Sequence, residues 1–129
     1  MIIAIDTCIL VDFQSGVSNV QVVILKEKIF SHEAYLPPIV LTEFLSDPLL
    51  DKHHYNFLKN IPLLEIDNDY WYRAGETRKI LFKKGLKAKL GDALIAQACI
   101  DNKVPLLTRD EDFRHYEKHC GLILAHKFN

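Results

Sequence analysis

Asp92 lies in the run Leu90-Gly-Asp-Ala-Leu-Ile-Ala-Gln-Ala-Cys, and the residues three, four and seven places after it are Ile95, Ala96 and Cys99. On a helix these positions share one face. The spacing therefore turns a carboxylate toward the side that packs, where it requires a donor, a cation or a proton. Downstream, the strand Val104 to Leu107 delivers Asp110 and Asp112 past its C-terminal end, and the apolar run Met1 to Ile5 delivers Asp6 and Thr7 in the same way. Glu43 follows Ile39 by four residues and Val40 by three, early in a short helix. In open α/β sheets the strand C-terminal edge is where ligands bind. Gathered there, Asp6, Glu43, Asp92 and Asp110 cannot all stay ionised without a cation. An all-oxygen set selects Mg²⁺ or Mn²⁺ over zinc. Such an ion keeps open positions for a substrate phosphate, the arrangement that serves phosphodiester hydrolysis. No serine or cysteine nucleophile beside a histidine base is legible, and no glycine-rich phosphate loop.

Each acid also has a plainer role. Asp6 suits a helix N-cap, and Glu43 suits a helix edge with its stem packed and its head in water. Asp12 reads as local structure or as support for the acids. His115 and His119 have the i, i+4 spacing of a zinc pair, but no further ligand joins them and a surface helix accounts for them. Lys83, Lys84, Lys87 and Lys89, with Arg78 and Lys79, lie on either side of Gly85. They fit favourable charge at a helix C-terminus and equally a phosphate-contacting patch leading into Asp92.

The elements that must position these residues alternate between strand and helix. Apolar strands are expected at Met1–Ile5, Ala34–Leu36, Leu63–Ile66, Val104–Leu107 and Leu122–Ala125. Helices are expected over 16–30, 39–46, 50–60, 70–84, from 90, and from 113 to Cys120. Trp71, Ala74, Ile80, Leu81 and the aliphatic stem of Arg78 form the expected apolar stripe of the helix over 70–84, with Trp71 as a core anchor. This pattern gives an α/β protein with a central, mostly parallel five-stranded sheet and helices on both faces. The 129 residues, 49% apolar, suit one domain over 1–129, and no stretch is long enough to span a bilayer. Ile2 to Ile5 lacks a basic leader, so a signal peptide is not expected. Three well-separated cysteines point to reduced thiols in the cytoplasm. A net charge of −1 excludes general electrostatic attraction to nucleic acid, so any such contact needs a local patch.

Four blocks occur in the order seen in PIN domains: Ile3-Ala-Ile-Asp-Thr-Cys-Ile-Leu, Leu41-Thr-Glu-Phe-Leu, Leu90-Gly-Asp-Ala-Leu-Ile-Ala and Leu106-Leu-Thr-Arg-Asp-Glu-Asp-Phe. The chain resembles that family over nearly its whole length, and its size resembles the VapC-type toxins of toxin–antitoxin pairs. The resemblance implies a three-layer α/β/α fold and a Mg²⁺- or Mn²⁺-dependent ribonuclease. Asp6 matches the family's first metal-binding acid, Glu43 the second, Asp92 the third and Asp110 the fourth, with Asp112 as helper or substitute. Thr108 matches a supporting Ser/Thr, and Thr7 stands beside Asp6 in the same capacity. Cys8 departs from the family, which most often has Asn there. An RNA substrate, a homodimer and an antitoxin covering the catalytic groove are the implied partners. A nuclease of RNA processing and a non-catalytic binding module are the alternatives, although the latter is expected to have lost acids. A haloacid-dehalogenase type phosphatase requires a second Asp where this chain has Cys8.

Overall fold

The computed structural model describes residues 1–126. In chain order the elements are β1 (Ile3–Ile5), α1 (Thr7–Gln14), α2 (Val20–Phe30), β2 (Ala34–Tyr35), α3 (Pro38–Leu45), α4 (Lys52–Leu58), α5 (Tyr70–Lys83), α6 (Leu90–Asn102), β3 (Leu106–Leu107) and α7 (Phe113–Cys120). All three residues of β1 are buried, as an unbroken apolar run requires of a central parallel strand. β2 pairs with it in parallel on one side, Ile3 opposite Ala34. β3 pairs in parallel on the other, Ala4 opposite Leu106. The order β2-β1-β3 therefore places a switch in winding direction at β1. The C-terminal ends of β1 and β3 therefore form the edge at which ligands bind in such sheets.

Five strands were expected, and three form among the described residues. Leu63 and Leu124 take the two outer places as isolated parallel bridges to Leu36 and Leu106. On the β2 side proline is the reason. Leu36 donates to the Pro62 carbonyl at 2.9 Å and accepts from the Leu64 amide at 2.9 Å. Beyond it Pro38 has no N–H with which to continue. On the other edge Leu106 donates to Ile123 at 2.9 Å and accepts from Ala125 at 2.8 Å, while its neighbour Pro105 faces β1, accepting the Ala4 amide at 2.8 Å.

The helices complete a three-layer α/β/α arrangement. α1 packs on α2 and α3, α5 on α6, α3 on α6, and α7 on both α5 and α6. Nearly every side of α6 is covered: Ala93 and Ile95 through Cys99 are all buried. α5 corrects the expected stripe. Its buried face is Tyr70, Ala74, Thr77 and Leu81, and Trp71 is 58% exposed. Two polar-tipped residues hold the packing positions because their hydroxyls find partners, Tyr70 on the Leu94 carbonyl and Thr77 on the buried Gln97 side chain. Trp71 packs edge-on against Tyr70, with ring centres 5.0 Å apart. Pro38 opens α3, as expected, and Gly85 follows α5 with φ of +71°, a left-handed conformation suited to glycine. Among the described residues no helix is long and apolar enough to cross a membrane.

Candidate active site

Asp6 is the single residue between β1 and α1. Its amide donates to the Leu107 carbonyl at 3.0 Å, which extends the β1–β3 pairing by one step. Its carboxylate Oδ1 accepts the Thr7 amide at 2.8 Å, so Asp6 is indeed the N-cap of α1. The other oxygen, Oδ2, accepts from the Thr108 hydroxyl at 2.6 Å and the Cys8 thiol at 3.3 Å. Only 5% of the residue is exposed. Burial raises its pKa, the hydrogen bonds from Thr108, Cys8 and Thr7 oppose that rise, and the charge of Asp110 adds to it. Thr108 is also buried. It accepts the Asp110 amide at 3.0 Å, and so ties the two strand ends and two of the acids into one unit. Burial, then the charge of Asp6, pushes the Cys8 thiol up to about 12. Cys8 is thus a thiol at neutral pH, and a hydrogen-bond donor to Asp6.

Asp92, Asp110 and Asp112 each present one carboxylate oxygen, and the three oxygens lie within 4.8 Å of one another. Asp92 enters from the first turn of α6. Asp110 and Asp112 enter from the loop between β3 and α7, where the Asp112 amide donates to Asp110 Oδ1 at 2.9 Å. Burial first, then the charges of Asp110 and Asp6, raise the Asp92 pKa to about 6, with Lys89 offsetting part of the effect and Asp112 adding to it. Among the described residues no donor makes a hydrogen bond to the Asp92 carboxylate. Three converging oxygens, one of them on a crowded acid without a donor, fit a hard divalent cation in both ligand chemistry and charge. No His or Cys enters this group, which gives zinc no advantage there.

Glu43 stands apart from that trio. It is exposed on α3, with the neighbouring Val40 and Phe44 buried. Its Oε1 accepts from the Thr7 hydroxyl at 2.7 Å, next in sequence to Asp6. Its Oε2 faces Gly91, next to Asp92, where a Cβ would sit 3.3 Å away. Glu43 therefore borders the site between the starts of α1 and α6. A Gly91→Ala variant is expected to displace the flexible Glu43 head while gaining up to about 1 kcal/mol of helix preference. The expected outcome is an unchanged or higher melting temperature with weaker Mn²⁺ binding at the neighbouring acids. Unchanged Mn²⁺ affinity would show that the position of Glu43 does not matter.

The basic residues follow directly. Lys83, Lys84, Lys87 and Lys89 are all exposed, and Lys87 Nζ lies 3.5 Å from Asp112 Oδ2, so this patch abuts the acids. Arg78 secures the loop: its Nε donates to the Ala88 carbonyl at 2.7 Å, and its guanidinium lies over the Phe82 ring. His115 and His119 belong to α7 and stay outside the carboxylate group.

Two features escaped the sequence reading. Gly91 carried a weak signal, being the small residue beside the most constrained acid. Arg109 carried none: it reaches Asp12, a partner far away in the chain.

The PIN domain family model matches residues 3–119. Among solved structures the chain is similar to VapBC2 from Rickettsia felis bound to a DNA fragment from their promoter. That match has a TM-score of 0.76 and 22% identity, and covers 99% of this chain and 100% of the other. It is similar also to VapBC-5 of Mycobacterium tuberculosis, a member of the VapBC family of toxin–antitoxin systems, with a TM-score of 0.72, 14% identity, and 97% and 98% of the two chains covered. A third is FitAcB from Neisseria gonorrhoeae, with a TM-score of 0.71, 18% identity and 97% of each chain covered. No curated protein sequence matches the chain. At these identities the structural likeness is one of fold, and the family model supplies the membership: the chain belongs to the PIN domain family.

Proposed function

We propose that the protein is a Mg²⁺- or Mn²⁺-dependent endoribonuclease and the toxin of a toxin–antitoxin pair. The observation that carries this reading is the convergence of Asp92, Asp110 and Asp112 on one point beside buried Asp6. These four acids hold the cation, and Glu43 borders the substrate side. A bound divalent cation supplies an activated water and neutralises charge on the leaving oxygen. The protein's own residues place it. Thr108 and Thr7 orient Asp6 and Glu43, and the helix N-terminus of α6 offsets part of the negative charge at Asp92. Lys83, Lys84, Lys87 and Lys89 bind the RNA backbone alongside. The whole chain, 1–129, acts as one cytoplasmic domain, a homodimer whose catalytic groove is covered by a cognate antitoxin. Fold likeness to chains of toxin–antitoxin complexes favours this role over RNA processing, and retention of every acid disfavours a binding-only module.

The test is to induce the protein in cells and map new RNA 5′ ends, with the Asp92→Asn variant as control. Discrete ends with the wild type alone are expected. Identical end maps from both proteins would sink the nuclease. The patch has its own test in the purified protein. Changing the four lysines to Ala is expected to weaken RNA binding and to flatten its salt dependence by about 0.7 log units per lysine that contacts a phosphate. An unchanged slope would leave the lysines as a solvated surface.

A further inference from the structure

Arg109 stands between Thr108 and Asp110, two residues whose side chains go to the acids, yet its own side chain goes the other way. Its Nε donates to Asp12 Oδ2 at 2.6 Å and its Nη2 to Asp12 Oδ1 at 3.0 Å, so the flat guanidinium spans both carboxylate oxygens. The Asp12 side chain is only 8% exposed, whereas that of Arg109 is 50% exposed. Asp12 has a further donor: Asn19 Nδ2 reaches its Oδ2 at 3.2 Å, while Asn19 Oδ1 caps α2 by accepting the Val22 amide at 2.8 Å. One buried carboxylate thus joins α1, the start of α2 and the loop after β3. The guanidinium holds the Asp12 carboxyl below the usual carboxylate range, as a two-pronged pair should.

We infer that the Arg109–Asp12 pair is a clamp that positions the acid-bearing loop, Thr108 to Asp112, against α1. The inference rests on the metal-nuclease reading for its consequence, though not for its geometry. Within the loop, hydrogen bonds run from Thr108 to Asp6, from the Asp110 amide to Thr108, and from the Asp112 amide to Asp110. Those bonds fix the loop's internal shape and attach it to Asp6, and Lys87 Nζ, 3.5 Å from Asp112 Oδ2, reaches it as well. The clamp adds a charged, two-pronged attachment at Asp12, toward the C-terminal end of the helix that Asp6 caps, and so restrains the tilt of the loop against α1. Asp110 and Asp112 then keep their place opposite Asp92, which arrives from an unrelated helix. Arg109 and Asp12 are positioning residues: they touch no reacting atom.

A lysine at 109 keeps a cation beside Asp12 but loses the planar fork. Arg109→Lys therefore separates geometry from charge. A second variant, Arg109→Gln with Asp12→Asn, removes both charges and leaves no buried carboxylate unpaired. Both are to be compared with wild type well below their melting temperatures, by Mn²⁺ titration, by amide hydrogen exchange at Asp110 and Asp112, and by steady-state cleavage. The expected result is Mn²⁺ affinity about tenfold weaker, in line with the loss of other groups that orient ligands. Exchange at the two amides should be several-fold faster, and kcat should fall more than KM rises. Affinity and exchange within twofold of wild type in both variants would overturn the clamp. So would a raised KM with unchanged affinity and exchange, which makes Arg109 a substrate contact. Should wild type itself take up no Mn²⁺, the nuclease reading fails, and amide exchange alone decides the clamp: unchanged protection overturns it.

Discussion

Replacing Asp92 by Asn is expected to abolish the proposed cleavage and at the same time to make the metal-free protein more stable at neutral pH. Both effects have one cause. The Asp92 carboxylate is half-buried at the start of α6, with Asp110, Asp112 and Asp6 nearby and no hydrogen-bond donor among the described residues. Its pKa stands at about 6 in the folded protein, against roughly 3.9 in an unfolded chain. Below about pH 4 both states hold the proton and the group costs nothing. As the pH rises from there through 6, the unfolded chain releases the proton first, so stability falls across that window and stays lower above it. A shift of this size corresponds to at most about 3 kcal/mol. Solvent screening of a half-exposed group leaves about 1 to 2 kcal/mol. An Asn side chain is nearly the same shape and carries no charge, so it recovers that amount. In EDTA at pH 7.5 the variant is expected to melt about 5 °C above wild type, and the gap is expected to close near pH 4. Cleavage should drop at least about a thousandfold, or roughly 4 kcal/mol of transition-state stabilisation. A fully active variant would remove the carboxylate cluster from the chemistry. One that melts lower than wild type at neutral pH would mean that Asp92 serves the fold.

The same residue shows what was legible in the sequence. Asp92 stood out because the helical period is strong and its face is otherwise apolar, and Ile95, Ala96 and Cys99 are all buried as that period requires. Asp6 and Asp110 stood out because an apolar strand ends just before each. Periodicity failed where a polar group found a partner in space. Tyr70 and Thr77 occupy the packing face of α5 because Leu94 and Gln97 receive their hydroxyls, and Trp71 was left outside. Each outer strand forms only a single bridge, and on the β2 side Pro38 is what stops the ladder. The approach of Glu43 to Gly91 and the Arg109–Asp12 pair are products of tertiary packing. No local spacing carries that kind of information.

Divalent metal should produce the second large effect. Mn²⁺ at a hundred times its dissociation constant is expected to stabilise the folded protein by about 2.7 kcal/mol, which raises the melting temperature by roughly 10 °C. The unfolded chain scatters the acids and gains nothing comparable. Protons compete for the same oxygens, among them those of the Asp92 carboxyl, raised to about 6. The Mn²⁺-dependent gain should therefore be full above about pH 7 and shrink as the pH falls through 6. That is the reverse of the metal-free behaviour, in which the folded state weakens as the pH rises through the same range. Two melting series across pH, with and without Mn²⁺, should thus diverge from one another going up in pH. In Asp92→Asn the divergence should largely disappear, because the group that both repels its neighbours and completes the site is gone. Parallel series in the wild type would mean that no cation bridges these acids. The raised Asp92 pKa would then be a cost the fold carries without return, and the four lysines beside it would be left without a catalytic centre to serve.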